Sequence, residues 1–357
     1  MSYSIDSILD RSIAGERLSR DEVQALFDDG GLLELGQAAA SVRRRKNPGE
    51  DASYIVDRNI NYTNVCIYRC RFCAFYRTAK DSDAYVLPFE EIAAKVAETV
   101  AAGGTGILLQ GGVHPELRLT YYESLLSDLK RTFPQIHLHA FSVPEIWYLA
   151  KLQKMPVREV ISRLVASGLE SIPGGGAEIL EDDTRRRIWS RTKASTRQWL
   201  DVHRTAHDLG LRTTATMMFG VGEPTTARVE HFLGVRDLQD ETGGFTAFIP
   251  WTFQDEATDL EGEVTTSGGY DYLRTLAISR LAFDNIDHVQ GSWVTQGAKI
   301  GQLSLLFGAD DLGSIMLEEN VVAAAGARFR MSQTDMERTI RGAGYSPRQR
   351  RTLYESL

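Results

Sequence analysis

Cysteine is scarce in this chain of 357 residues, which contains only Cys66, Cys70 and Cys73. An odd number of cysteines within one short stretch is poor material for disulfide bonds and is typical of a metal site. No fourth cysteine is available to complete the four-thiolate set of an ordinary electron-transfer cluster. The cysteines therefore indicate a metal centre with three protein thiolates.

The sequence also lacks long hydrophobic runs, a basic excess, low-complexity tracts and clear repeats. Its first residues carry charges throughout and have no apolar signal-peptide core, so we expect a cytoplasmic protein without membrane insertion. Acidic residues (48) outnumber basic ones (40), and the net charge of −8 argues against a nucleic-acid partner. The one basic run, residues 43–46, is typical of a helix end that faces its own dipole.

Secondary structure changes character along the chain. Residues 1–46 show the spacing of amphipathic helices, and Ser19 followed by Glu22 forms a capping-box pattern. From about residue 58 short apolar strands alternate with helical runs, which indicates βαβ units around a parallel sheet. We predict strands at 59–65, 106–110, 136–141, 171–172, 212–219, 245–249 and 289–294, a weaker one near 312–316, and helices at 90–102, 121–132, 196–209, 225–241 and 270–284.

This pattern predicts an α/β fold with a TIM-type (βα) barrel, and a doubly wound sheet is the competing topology. Clusters of unusual residues favour the barrel, because they follow the predicted strands at the end where barrel active sites are built. Among these clusters are residues 64–73, 110–112, 174–178 and 220–223. We expect a helical N-terminal extension at 1–50, the barrel at 51–327 and a helical C-terminal segment at 328–357.

The cysteines follow the first predicted strand with the spacing C-x3-C-x2-C. Three thiolates can hold three irons of a [4Fe–4S] cluster and leave the fourth iron open to another ligand. With this spacing we expect that ligand to be S-adenosylmethionine, whose cleavage gives a 5′-deoxyadenosyl radical. A zinc site is the main alternative for the metal, although no histidine lies near the motif. An iron–sulfur electron-transfer protein is the second class of function, but it would not require so large a chain.

Two glycine-rich strand ends indicate a bound nucleoside. Gln110, Gly111 and Gly112 follow the second predicted strand, where glycine permits close approach of the backbone to a ligand. Residues 173–178 read PGGGAE and place Glu178 at another strand end. Glu178 is a candidate for the ribose hydroxyls of the cofactor, and a charge at a helix N-terminus is the alternative interpretation.

Several sequence blocks carry a resemblance beyond the cysteine spacing. They are NYTNVC (61–66), CRFCAFY (70–76), PGGGAE (173–178), TATMMFG (214–220), GFTAFIPW (244–251) and SWVTQG (292–297). Together they resemble the radical S-adenosylmethionine enzymes of the futalosine route to menaquinone, over about residues 58–327. The resemblance implies an oxidoreductase with one [4Fe–4S] cluster on Cys66, Cys70 and Cys73, and with S-adenosylmethionine near Phe72, Gln110, Gly111, Gly112 and Glu178.

That family contains two sister reactions. One adds the adenosyl radical to an enol ether, and the other abstracts a ribose hydrogen so that the carbon radical closes onto an aromatic ring. IPWTFQ (249–254) and SWVTQG (292–297) are more similar to the second type. The sequence departs from the family after Gln254, where it reads DEAT (255–258) instead of the expected Pro-Glu-Asn-Thr.

The resemblance also implies partners and a base. The substrate is a small molecule, and an external one-electron reductant such as flavodoxin or ferredoxin is expected. Loss of a proton after ring closure requires a base, for which His139, Glu145 and Glu223 are candidates at predicted strand ends. For His139 a satisfied interior histidine is an equal alternative. The benzoate of the substrate suggests an arginine clamp, but the sequence does not single one out.

Overall fold

The computed structural model describes residues 4–189 and 193–357. Its N-terminal part is helical, and the predicted capping box is present. Ser19 Oγ accepts a hydrogen bond from the Glu22 amide at 3.3 Å, and the Glu22 carboxylate accepts one from the Ser19 amide at 2.7 Å. In the described residues the helices are α1 (Ile5–Ala14), α2 (Arg20–Asp29), α3 (Leu32–Lys46), α4 (Phe89–Ala101), α5 (Leu119–Thr132), α6 (Val143–Gln153), α7 (Val157–Ala166), α8 (Asp182–Ile188), α9 (Thr196–Asp208), α10 (Thr225–Thr242), α11 (Gly269–Ala282), α12 (Trp293–Ser304) and α13 (Gln333–Gly342).

A parallel sheet of seven strands forms the centre of the molecule. Its strands are hydrogen-bonded in chain order, β2 to β8, as in a barrel and unlike a doubly wound sheet. One helix connects most neighbouring strands, and two helices lie between β4 and β5 and between β5 and β6. The seven strands are β2 (Asp57–Asn61), β3 (Gly106–Gln110), β4 (His137–Ala140), β5 (Ser171–Ile172), β6 (Arg212–Phe219), β7 (Phe245–Thr252) and β8 (His288–Val289).

A smaller parallel sheet lies between the two edges of the large one. It contains β1 (Asp51–Ile55), β9 (Asp311–Ser314) and β10 (Ser346–Gln349), in the order β10-β1-β9. β1 continues directly into β2, and Asp311 forms a bridge with Gln290 just after β8. The small sheet thus lies beside the opening between β2 and β8, the two edge strands of the partial barrel.

Helices pack against the large sheet, and α9 shows how one helical face is buried there. In α9 the buried side chains are Trp199, Val202, His203 and Ala206, a spacing that places them on one helical face. The Trp199 ring stacks on Phe245 of β7 with centroids 6.1 Å apart. None of the helices in the described residues is both long and apolar enough to span a membrane.

Three sequence predictions require correction. The strand predicted at 289–294 ends at Val289, because Gly291 and Ser292 turn the chain toward α12 and their amides bond to Asp311 and Tyr272. The weak strand near 312–316 is β9, which pairs with β1 outside the large sheet. The C-terminal segment 328–357 is not purely helical, because β10 follows α13 and pairs with β1. The boundaries at 50 and 327 stay a prediction.

Candidate active site

A cavity of about 300 Å³ lies inside the partial barrel. Its lining includes three residues that the sequence singled out, Gln110, His139 and Glu178. The cysteines, Phe72, Gly111, Gly112, Glu145 and Glu223 do not line it. Other lining residues are Asp57, Asn59, Thr214, Thr216, Trp251, Ser292, Thr295, Glu319, Arg350 and Tyr354.

The three cysteines lie as thiols on the loop that follows β2. Backbone hydrogen bonds hold the loop, from the Cys66 amide to the Arg77 carbonyl (2.9 Å) and from the Cys73 amide to the Cys70 carbonyl (3.0 Å). Burial raises the pKa of Cys70 to about 12 and also raises that of Cys73. Such thiols become thiolates only with a cation or metal beside them. Among the described residues no three His, Cys, Asp or Glu side chains converge on a single metal ion.

A lysine that sequence reasoning missed connects the cysteine loop with Glu178. Lys193 Nζ lies 3.1 Å from Glu178 Oε1, and both side chains are 7% exposed. The same ammonium lies 5.0 Å from the centre of the Phe72 ring and 4.5 Å from that of Trp189. Burial disfavours the charged lysine, but Cys70 and Glu178 outweigh this and raise the pKa of Lys193. No local motif marks Lys193, because Glu178 and Phe72 lie in other segments of the chain.

Glu178 has an unusual backbone and an unpaired oxygen. Its φ angle of 42° is in the left-handed region, which a residue other than glycine adopts at a cost of about 1–2 kcal/mol. Oε1 pairs with Lys193, whereas the buried Oε2 has no partner in the described part of the chain. Earlier in the same loop, Gly174 allows close packing on β6, because a Cβ there would lie 2.7 Å from the Thr216 amide nitrogen. Glu178 is thus positioned to accept a hydrogen bond from a ligand in the cavity.

Gly111 and Gly112 serve close packing in this structure. Their amides already donate, from Gly111 to Glu145 (3.3 Å) and from Gly112 to the Thr63 carbonyl (2.8 Å). A Cβ on Gly112 would lie 2.3 Å from the Val65 carbonyl oxygen. The two amides therefore face the protein, and a contact of Gly111 and Gly112 with the cofactor stays a prediction.

Gln110 and Gly175 bring two strand ends together at the cavity. Both residues line it, and a Cβ on Gly175 would lie 2.6 Å from Gln110 Nε2. The missing side chain at position 175 thus gives the Gln110 amide room next to the loop that carries Glu178.

Glu145 connects three strand-end loops. Its carboxylate accepts hydrogen bonds from the Ser142 amide and hydroxyl (both 2.6 Å), the Tyr62 hydroxyl (2.5 Å) and the Gly111 amide. Burial raises the pKa of Glu145 to about 7. Because every contact is to protein and the side chain does not line the cavity, Glu145 is not brought together with His139.

Glu223 lies in the loop after β6, at the same end of the barrel as Glu145. It accepts hydrogen bonds from the Gly220 amide (2.9 Å) and the Val221 amide (2.8 Å) and pairs with Arg228 (2.7 Å). Its side chain is fully buried, and it does not line the cavity. The structure therefore places Glu223 in the support of the β6 loop.

His139 lies in the cavity wall. Its Nδ1 is 2.6 Å from Ser171 Oγ. Burial lowers the pKa of His139 to about 3, so the ring is neutral near pH 7. A neutral imidazole with one nitrogen engaged by a hydroxyl can accept a proton at the other nitrogen.

Asp57 and Asn59 are cavity residues that sequence reasoning missed. Asp57, Asn59 and Asn61 occupy every second position of β2, so their side chains lie on one face of the strand. Polar residues in this pattern on an interior strand could have indicated a polar cavity. Burial raises the pKa of Asp57 to about 6. Its carboxylate accepts a hydrogen bond from the Ser314 hydroxyl.

Comparison with known proteins places this site in a family. Residues 60–233 match the model of the Radical SAM superfamily, and residues 242–357 match that of the CofH/MqnC C-terminal region. The chain is 46% identical to cyclic dehypoxanthine futalosine synthase of Streptomyces coelicolor, over 99% of this chain and 89% of the relative. The chain belongs to the radical S-adenosylmethionine superfamily. This confirms the enzyme family that the sequence indicated.

Other members are less similar to this radical S-adenosylmethionine enzyme. Aminodeoxyfutalosine synthase of Streptomyces coelicolor is 37% identical over 96% of this chain and 92% of its own. A 5-amino-6-(D-ribitylamino)uracil–L-tyrosine 4-hydroxyphenyl transferase of Methanopyrus kandleri is 38% identical over 99% and 97%. The crystal structure of methylornithine synthase superposes with a TM-score of 0.75 at 20% identity, covering 95% of this chain and 97% of that one. That likeness confirms the α/β barrel fold.

The family implies a [4Fe–4S] cluster and S-adenosylmethionine, and the residues present fit both. Three thiols stand on one loop for the cluster, beside the cation of Lys193. The unpaired Glu178 oxygen and the Gln110 amide lie at the cavity end of neighbouring loops, where a polar ligand would meet them.

Proposed function

We propose that this chain converts dehypoxanthine futalosine to cyclic dehypoxanthine futalosine in menaquinone biosynthesis. One observation carries the choice among sister reactions, namely the 46% identity to a cyclic dehypoxanthine futalosine synthase against 37% to an aminodeoxyfutalosine synthase from the same organism. The reaction abstracts one ribose hydrogen and closes the ring, with loss of a second hydrogen as a proton and an electron.

Cys66, Cys70 and Cys73 hold the cluster in this proposal, and Lys193 balances part of the negative charge of their thiolates. Glu178 and Gln110 bind S-adenosylmethionine at the cavity. Phe72 borders this site from the cysteine loop, beside Lys193, and Gly111 and Gly112 give close-packed support. When both groups are bound, they supply a 5′-deoxyadenosyl radical. The protein requires an external one-electron reductant of the flavodoxin or ferredoxin class.

The barrel positions the substrate and excludes water. A radical is quenched by any nearby hydrogen donor, so the cavity must place only the intended ribose hydrogen within reach. Apolar surfaces of Trp251, Val294 and Leu312 line it beside the polar groups. His139 is the base in this proposal, because it lines the cavity while Glu145 and Glu223 do not. The thiols and cluster require a reducing compartment, which supports the cytoplasm.

Mass analysis of the products tests the proposal. Anaerobically reconstituted protein, a one-electron reductant and S-adenosylmethionine are incubated with dehypoxanthine futalosine. We expect a product lighter than the substrate by two hydrogen atoms, together with free 5′-deoxyadenosine. Cys70→Ala is the negative control, since two thiolates cannot hold the cluster in place. Turnover of an enol ether to an adenosylated product, with no cyclised nucleoside, would contradict the proposal.

A further inference from the structure

Three side chains form a hydrogen-bonded row in the wall of the barrel. Ser171 Oγ lies 2.6 Å from His139 Nδ1 and 2.7 Å from His137 Nε2. Ser171 is fully buried on β5, and the two histidines lie two residues apart on β4, with side chains on the same face. A hydroxyl between two imidazoles accepts a hydrogen bond from one and donates to the other.

The two ends of this row have different surroundings. His139 lines the cavity, and its Nδ1 is engaged by Ser171, so Nε2 is the nitrogen left for the cavity side. His137 is the first residue of β4, does not line the cavity and is partly exposed. Because all seven strands are parallel, the first residue of β4 lies at the end of the barrel opposite the cysteine loop. The row thus leads from the cavity to the far end of the barrel.

We propose that His139, Ser171 and His137 form a proton relay that carries the proton lost by the substrate out of the barrel. The proposal rests on the proposed function. The proton enters at His139 Nε2, the Nδ1 proton passes to Ser171 Oγ, and the hydroxyl proton passes to His137 Nε2. His137 then releases its Nδ1 proton to water. The relay moves protons only, and the accompanying electron goes to a one-electron acceptor of the iron–sulfur class.

The charges around the row suit this role. Burial lowers the pKa of both His137 and His139, so both rings are neutral and can act as donor and acceptor. Arg350 and His203 are the ionisable neighbours of His139 besides His137. At the outer end Glu170, Lys130 and Glu355 surround His137. Carboxylates near the exit stabilise a transient positive charge on His137, whereas Arg350 disfavours one on His139.

The carboxylates that line the cavity lack such a connection. Glu178 pairs with Lys193, and Asp57 accepts from Ser314. Glu319 accepts from the amides of Val321, Val322 and Ala323. A proton taken up by Glu178 or Glu319 would stay in the cavity. Asp57 lies at the far end of the barrel itself, level with His137, but in the described residues no hydrogen bond joins its carboxylate to another titratable group.

Substitutions of Ser171 test the relay in the reconstituted enzyme. Ser171→Ala breaks the row and leaves both histidines in place, and Ser171→Thr restores a hydroxyl. Thr213→Val is the matched control, because it removes a comparable bond between a hydroxyl and His207 Nε2 (2.7 Å) outside the cavity. The readouts are the amount of cyclised product per 5′-deoxyadenosine released and the solvent deuterium isotope effect on product formation.

We expect Ser171→Ala to lower the amount of product per 5′-deoxyadenosine at least about tenfold, since a positioned acid–base group contributes about 10²–10⁴-fold in rate. Ser171→Thr and Thr213→Val should keep the wild-type ratio. The solvent isotope effect should change in Ser171→Ala alone. An unchanged ratio and isotope effect in Ser171→Ala, with wild-type cluster absorbance, would overturn the relay. Wild-type enzyme that forms no cyclised product would instead overturn the proposed function, and the relay with it.

Discussion

At the scale of single residues, Glu178 combines two features that are each costly without a ligand. Its backbone is left-handed, and one buried carboxylate oxygen lacks a partner in the described part of the chain. Residues with strained backbones cluster at binding and active sites. They persist there only because the surrounding structure holds them in place. Lys193 alone satisfies one oxygen and leaves the other for a donor from the cavity.

Glu178→Ala should weaken binding of S-adenosylmethionine by about 1–3 kcal/mol, the range for a lost hydrogen bond to a charged group. The cluster absorbance should not change, because Glu178 is not a thiolate ligand. Equilibrium binding to the reconstituted enzyme measures the effect. Glu263→Gln is the control, since Glu263 pairs with Arg71 of the cysteine loop from the exposed side. Equal affinities in all three proteins would assign Glu178 to a purely structural role.

Glu145 gives a pH-dependent prediction. Burial raises the pKa of Glu145 from 4.5 to about 7 in the folded protein. The folded state therefore binds this proton more tightly than the unfolded state, and the contribution to stability is complete below about pH 4.5. That contribution should be lost as the pH rises to about 7.

Glu145→Gln removes the titration while it retains an acceptor for Tyr62 and Ser142. The free energy of unfolding, measured by denaturant between pH 4 and 8, should fall less steeply with pH in the variant than in wild type. Two parallel curves across this range would show that Glu145 titrates alike in both states.

At the scale of helices and strands, local patterns predicted most of the barrel. β3, β5 and β6 have the predicted bounds, because apolar runs there end at glycine, proline or charged residues. Prediction failed where pairing partners are distant. β10 has the sequence Ser-Pro-Arg-Gln, without apolar alternation, and exists because β1 pairs with it across almost 300 residues of chain.

An ion pair next to β10 attaches the C-terminal segment to the barrel. Arg350 Nε lies 2.6 Å from Asp311 Oδ2, and its second terminal nitrogen lies 2.8 Å from Oδ1. The two side chains are 5% and 0% exposed. Asp311 also accepts a hydrogen bond from the Ser53 hydroxyl at 2.6 Å, so one carboxylate joins β1, β9 and the segment after β10.

Arg350→Met should destabilise the protein by about 3–5 kcal/mol, because it leaves the buried Asp311 carboxylate without its cation. The neighbouring and exposed Arg351 provides the control Arg351→Met, which should change stability by less than about 0.5 kcal/mol. Chemical denaturation of the three proteins measures the difference. Similar losses in both variants would mean that the Asp311 pair contributes little.

At the scale of the whole molecule, the site is partly local and partly assembled by the fold. The cysteine loop and the PGGGAE block are continuous in sequence, so their chemistry was predictable from residue types and spacing. The roles of Lys193 and of the row from His139 to His137 depend on contacts between separate segments of the chain, which residue types and spacing do not reveal. Glu145 and Glu223 stand at strand ends as predicted, yet their side chains are held by amides and hydroxyls or by Arg228, away from the cavity.

The resemblance in sequence implies two sister reactions, hydrogen abstraction and adenosyl addition, on the same barrel and cysteine motif. The fate of the adenosyl group separates the two reactions, since abstraction releases it as 5′-deoxyadenosine and addition builds it into the product. Similarity in sequence favours abstraction for this chain.

Isotope tracing distinguishes hydrogen abstraction from adenosyl addition in this enzyme. Dehypoxanthine futalosine carrying deuterium at the abstracted ribose position is incubated with the reduced enzyme and S-adenosylmethionine, and both products are weighed by mass spectrometry. We expect the deuterium to appear in 5′-deoxyadenosine and to be missing from the cyclised product. Deuterium that stays in the nucleoside, with the adenosyl group found in an adduct, would contradict it.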